Sequence, residues 1–234
     1  MIKLSIIIVT FNNFSVVKQC IESIFKYNDI NEQLEVIVVD NSSQISIIPD
    51  IKRVWPMIKC IPNNKNGGFG RGNNIGEKVA SGEIIAFINP DTEFIEPIFK
   101  DILNQFEEDP NLGLMGCQLI NNNKRKVQSF GIMPEDWNWI NLFLLTNTVR
   151  SKLNILPKYF YIQGADIFMR KKLFNQIGKF DENIFLYGEE IDLVHRIIKE
   201  NKYKIKYDRS KSIIHKEKVS TSSIKSITRT EHMV

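Results

Sequence analysis

At 234 residues, 43% hydrophobic and 25% charged, the chain has an ordinary globular balance and the length for one substantial core or two small ones. Its net charge of +4, from 31 basic and 27 acidic residues, is too mild to imply nucleic acid as a partner. Three cysteines, Cys20, Cys60 and Cys117, are odd in number and unpaired in spacing, which excludes a disulfide framework and predicts buried free thiols in a reducing compartment.

The first predicted element is "KLSIIIVTF", a continuous β-branched run of the kind found in strands buried on both faces. It carries straight on from the N-terminus, with no signal-peptide pattern. "SVVKQCIESIFKY" follows with helical period, Ser15 serving as N-cap. "LEVIVVDN" is a second buried strand ending at Asp40, and "IKCIPN" a short third. Five glycines then fall within residues 67–76, in a chain that has only 12 in all. This stretch reads as a supple polar loop, after which "NNIGEKVA" starts a helix and "GEIIAFINPD" forms a fourth strand. Ile95, Ile98, Phe99, Ile102, Leu103 and Phe106 give an amphipathic helix closed near Pro110. In the second half, "YFYIQGADIFMR" reads as a strand and "KKLFNQIG" as a short helix with Gly178 as its C-cap. "GEEIDLVHRIIKENKY" reads as a longer helix, and "YKIKYD" and "SIIHK" as two more strands.

Strand and helix alternate through the first half, which predicts an α/β fold: a mainly parallel central sheet flanked by helices. In such sheets ligands sit beyond the carboxyl ends of the strands. Polar residues collect at those ends: Thr10, Asn12 and Asn13, then Asp40 and Asn41, then Asp91. One compact domain over 1–218 is expected, in two halves (1–93 and 94–218) of which the second completes the site. Residues 219–234 form a basic tail, and the ending "TEHMV" carries no helix stop, so the natural protein is expected to continue or its tail to be unordered alone. No window reaches the ~20 apolar residues of a membrane span. Trp137–Val149 comes nearest but is broken by Asn and Thr, and reads as a core or lid segment. A cytoplasmic protein is expected.

Each motif also has a plain structural explanation. The glycine stretch fails both the dinucleotide fingerprint and the P-loop, and a surface turn would account for it. Asp40 at a strand end can accept from ribose or base groups, or simply initiate a turn. Asp91 can ligate a hard divalent cation completed by a diphosphate and a distant imidazole, or make an Asx turn. His215, after an apolar pair at a strand end, is the one good partner for Asp91 in such a role. His195 and His232 are assigned none. Asp181, Glu182, Glu189, Glu190 and Asp192 fall within twelve residues. Acids in a first helical turn are favoured by the macrodipole. That leaves Phe180, Phe185, Leu186 and Tyr187 unexplained, and a carboxylate held against an apolar wall suits general-base work.

Taken in order, "SIIIVTFNN", "VIVVDNSS", "NNKNGGFGRGNN", "FINPDT", "QGADIFMR", "GKFDENIFLYGEEIDL" and "IIH" resemble the family 2 glycosyltransferases, in the rhamnosyltransferase-like branch, over nearly the whole chain. The resemblance implies the GT-A (Rossmann-like) fold. It further implies that Thr10, Asn12, Asp40, Asn66, Gly68 and Asn73 hold a nucleoside-diphosphate sugar, UDP- or dTDP-linked. Asp91, at the D-x-D aspartate, and His215 would ligate Mn²⁺ or Mg²⁺. Gly164, Ala165, Asp166, Glu189 and Asp192 would line the sugar or acceptor pocket, Asp166 being a charge where a smaller or apolar residue is expected. Glu190 would deprotonate the acceptor, standing where the family has aspartate in E-D-x-D-L. The implied activity is an inverting, metal-dependent hexosyl or deoxyhexosyl transfer to a glycan or lipid-linked acceptor in bacterial surface-polysaccharide assembly. The basic region from Lys202 to Arg229 would give peripheral contact with the inner membrane face. Two rivals are a catalytically silent nucleotide-sugar-binding or scaffold protein, and a sugar-phosphate nucleotidyltransferase. The latter should carry a glycine-rich loop directly after the first strand, where "TFNNFS" stands.

Overall fold

A computed structural model of the chain describes residues 1–132 and 160–216; the Trp137–Val149 segment and the tail at 219–234 lie outside the described residues. The strands are β1 (Leu4–Thr10), β2 (Leu34–Asp40), β3 (Lys59–Pro62), β4 (Ile84–Ile88), β5 (Thr92–Phe94), β6 (Leu112–Ile120), β7 (Phe130–Ile132), β8 (Phe160–Ile162), β9 (Asp166–Arg170) and β10 (Lys204–His215). The helices are α1 (Phe14–Lys26), α2 (Ile48–Val54), α3 (Gly68–Glu77), α4 (Phe99–Glu108), α5 (Lys171–Gln176) and α6 (Glu189–Lys199).

Eight strands form one sheet in the order β3-β2-β1-β4-β9-β6-β10-β5, and β7 pairs with β8 separately. β1 to β4, β6 and β10 run one way, while β9 and β5 run against them. The sheet is therefore mainly parallel, as the alternating pattern predicted. The strand sequences are apolar on both sides because helices cover both faces. Ile6 and Ile8 of β1 face a layer containing Val17, Ile21 and Ile24 of α1 and Phe99 and Ile102 of α4. Ile7 faces the opposite layer, with Phe174, Phe180, Leu193 and Ile197. The period of two along the strand sends alternate residues to the two cores. No helix among the described residues is long and apolar enough to cross a membrane.

Several predicted elements shift. The glycine stretch is the body of α3 rather than a supple loop before a helix. A Cβ on Gly72 would stand 2.6 Å from Val9 Cγ1, so the glycine lets the helix backbone lie directly on β1. The helix predicted from Ile95 begins at Phe99. Pro97 disfavours helical backbone at Glu96, and Thr92–Phe94 are drawn into β5 by antiparallel pairing with the end of β10. "YFYIQGADIFMR" is two strands, broken at Gln163-Gly164-Ala165. "YKIKYD" and "SIIHK" join into one strand whose register shifts between Asp208 and Ser212. β6 and α2 had no counterpart among the predicted elements. β6 is buried at all nine positions, and Gly113, Gly116 and Gln118 interrupt the apolar run that would have marked it.

Candidate active site

A cleft of about 370 Å³ opens beyond the carboxyl ends of β1, β2 and β4. One side is made by Thr10, Asn13, Asn41, Asn66 and Gly68, and its floor by Asn89, Pro90 and Asp91. Gln163, Gly164 and Ala165 come from the β8–β9 connection; Phe185 to Tyr187, Glu189, Glu190 and His215 complete it. Of the candidates read from sequence, Thr10, Asn66, Gly68, Asp91, Gly164, Ala165, Glu189, Glu190 and His215 meet here.

Asn12, Asp40, Asn73, Asp166 and Asp192 are not among the lining residues, and each side chain has another partner. Asn12 has φ 54° and accepts from Gln44 N at 2.7 Å, tying the loop after β1 to the loop after β2. Asp40 is 3% exposed and accepts from Ser43 N, Ser46 Oγ and Ile47 N, so its carboxylate closes its own turn. Asn73 donates to Phe69 O inside α3. Asp192 pairs with Arg196 one turn on at 2.5 Å. Asp166 is fully buried and accepts from Cys117 N at 2.6 Å, in the sheet rather than the pocket; burial holds its carboxyl well above the ordinary range. Asn41 and Gln163 are cleft residues that carried no assigned role, while Phe185, Leu186 and Tyr187 line the cleft beside the acids, where an apolar wall was expected. Asn41 donates to Asn66 Oδ1 at 2.8 Å and to Gly68 O at 3.1 Å, so it holds the start of α3 against the end of β2.

Gly68 locks this side to the acid-bearing side. Its φ is +81°, and an added Cβ would run into the Phe185 carbonyl. Phe69 N donates to that carbonyl at 3.1 Å. The chain then turns through Tyr187 (φ 69°) and Gly188 (φ 102°), two successive left-handed residues, directly into α6. This turn brings Glu189 and Glu190 to the helix N-terminus, at the cleft.

Burial, and secondarily the charge of Glu190, push the Glu189 carboxyl up to about 8. Burial also raises that of Glu190, against opposing hydrogen bonds from its own N–H and that of Gly188. A carboxyl raised in this way sits closer to neutrality, where a general base works best. Gly164 leaves room beside it: a Cβ there would be 3.7 Å from Glu190 Cδ.

On the facing wall, antiparallel pairing of β5 with β10 sets His215 opposite Thr92. His215 Nε2 thereby lies 3.5 Å from Asp91 Oδ1, although the two are far apart in sequence. Neighbouring ligands of an octahedral cation with ~2.1 Å bonds are about 3 Å apart, so this pair fits a shared ion with little movement. No cluster of three or more potential metal ligands occurs among the described residues. A carboxylate and an imidazole therefore suit a cation whose other ligands come from a phosphorylated substrate and water.

The sheet, with its site beyond the strand ends, has the architecture of the GT-A glycosyltransferases. The chain belongs to glycosyl transferase family 2, whose model matches residues 5–178. Low-salt glycan biosynthesis hexosyltransferase Agl10 of Haloferax volcanii is 26% identical over 205 residues, 85% of this chain and 62% of that protein. The mannosyltransferase PcManGT of Pyrobaculum calidifontis, in complex with GDP-Man and Mn²⁺, superposes with a TM-score of 0.70 at 16% identity, over 98% of this chain and 61% of that one. S. aureus TarS 1–349 in complex with UDP does so at 0.67 and 20% identity, over 92% and 60%. The chain thus spans about three fifths of the length of each of these proteins.

Proposed function

We propose that this chain transfers a sugar from a nucleoside diphosphate to a hydroxyl of a glycan or lipid-linked acceptor, by a single inverting displacement, in the assembly of a surface polysaccharide. The observation that carries this reading is the meeting of Asp91 and His215, 3.5 Å apart, in the cleft that also holds Glu190. The named relatives support it: one is a glycan-biosynthesis hexosyltransferase, and two structural neighbours hold UDP or GDP-mannose.

In this reading Thr10, Asn66 and the first turn of α3 hold the nucleotide. Asp91 and His215 would hold a divalent cation, which when bound neutralises charge on a leaving diphosphate. Glu190 accepts the proton of the acceptor hydroxyl as that oxygen attacks the anomeric carbon from the face opposite the diphosphate. Holding the two reactants in one cleft supplies much of the rate advantage. The half-buried Phe185 and Leu186 line the cleft that holds Glu190, and an apolar wall there limits water around the reacting centre, which favours transfer over hydrolysis.

The test is a thermal-shift panel of UDP-, dTDP- and GDP-sugars, with and without Mn²⁺. The expected result is stabilisation by one nucleotide that depends on the cation. A chain that no nucleotide stabilises under either condition is not this enzyme. A chain that binds a nucleotide sugar, yet turns it over no faster than its Glu190→Gln variant does, is a silent binding protein.

A further inference from the structure

Native interiors pair nearly all buried polar groups. Among the described residues Thr10 Oγ1, Gln163 Oε1 and Glu189 Oε2 are buried without a hydrogen-bond partner, and all three residues line the cleft. Such groups around one cleft mark where a ligand completes the bonding. Thr10 lies on the side assigned to the nucleotide. Gln163 and Glu189 lie on the other side, beside Glu190.

Gln163 is held firmly. It follows Ile162, which is fully buried, and its N–H donates to Ser129 O at 3.0 Å. Two residues on, Ala165 is 1% exposed and its carbonyl accepts from Asn89 N at 3.0 Å. Between them Gly164 passes close to the Glu190 carboxyl. The Gln163 carboxamide therefore stands on a clamped segment next to the proposed base, as a specificity residue requires. Glu189 is 3% exposed and opens α6 immediately before that base.

We propose that Gln163 and Glu189 read the hydroxyls of a sugar ring seated beside Glu190, Gln163 Oε1 accepting a hydrogen bond and Glu189 Oε2 donating one. A sugar hydroxyl both gives and takes a hydrogen bond, and this pair offers both complements. Burial keeps the Glu189 carboxyl protonated at neutral pH, so it carries the O–H it needs. A ring lacking the hydroxyl, or presenting it on the other face, leaves both buried groups unpaired and is rejected. The inference rests on the proposed transfer reaction. The ring belongs either to the donor or to the acceptor, since both bring hydroxyls to this point.

The test is calorimetric titration of wild type, Gln163→Met and Gln163→Ala with UDP-glucose, GDP-mannose and dTDP-rhamnose, and with the matching free diphosphates, all with Mn²⁺. Methionine nearly matches glutamine in volume and lacks the strong acceptor. A parallel arm measures binding of methyl glycosides of glucose, galactose and N-acetylglucosamine by saturation-transfer NMR. If the ring is the donor's, both variants bind the nucleotide sugar about three- to tenfold more weakly and the free diphosphate as well as wild type does. If it is the acceptor's, nucleotide-sugar binding is unchanged and the methyl-glycoside signal falls. Equal loss for nucleotide sugar and free diphosphate overturns the proposal, because Gln163 would then read the nucleotide. So does no change in any arm. A wild type that binds no nucleotide refutes the transfer reaction itself, a result distinct from either of these.

Discussion

Replacing Glu189 by glutamine removes one ionisation and preserves shape. Glu189 is 3% exposed, and its carboxyl rises from 4.5 to about 8 on folding. The folded chain therefore keeps this proton over a range in which the unfolded chain has lost it. Stability from this group is fully present below pH 4.5 and is lost as pH rises through about 8. Each pH unit well inside that window costs about 1.4 kcal/mol and the cost levels off at the folded pKa, so the step from pH 6 to pH 8 costs about 2 kcal/mol. Glu189→Gln abolishes that part of the slope. The assay is urea and thermal unfolding of wild type and variant at pH 6, 7 and 8 in EDTA. At this chain length 1 kcal/mol moves Tm by about 2–4 °C, so the variant should gain about 4–8 °C on wild type across the interval. Parallel curves for the two proteins would show that Glu189 is solvated and ionised in the fold, and would remove the hydrogen-bond donor assigned to it above.

Glu190→Gln should lower transfer by about 10² to 10⁴, the usual worth of a general base, while nucleotide-sugar affinity stays near wild type in calorimetry. Equal loss of both would make Glu190 a binding residue only. Asp91→Asn and His215→Ala should each erase the Mn²⁺-dependent part of the nucleotide thermal shift, and EDTA should do the same to wild type. At a ligand concentration of 100 Kd that part is about 2.7 kcal/mol. Gly68→Ala should cost at least about 1–2 kcal/mol in urea unfolding, from the left-handed backbone alone, because φ is +81° and the new methyl meets the Phe185 carbonyl. It should also weaken nucleotide binding, since Gly68 lines the cleft. A Gly68→Ala protein of unchanged stability would mean that this junction is looser than described.

Much of the architecture could be read from local pattern. β1, β2 and β4 are unbroken apolar runs because both their faces are buried, and that signal needs no partner to be seen. α6 announced itself by apolar residues at helical spacing behind a first turn of acids. β6 escaped because its glycines and Gln118 break the run. Gly116 is small there for a tertiary reason: a Cβ would meet Ile162 Cγ2 of β8 at 2.5 Å. The glycines of α3 misled in the same way. They read as suppleness, whereas Gly72 lets the helix lie on Val9 and Gly68 admits the Phe185 backbone.

By itself the sequence determined which side chains could do chemistry and which strand ends would carry them, because residue type and period are local properties. Only the tertiary structure decided which of them share a space. Asp91 and His215 meet because β10 returns antiparallel to β5, a pairing that no spacing along the chain encodes. Asp40, Asp166 and Asp192 look in one dimension like Asp91 and Glu190. Folding commits the first to its own turn, the second to the interior of the sheet and the third to Arg196. It leaves Gln163, to which the sequence assigned no role, on the cleft wall with a buried oxygen that has no partner among the described residues.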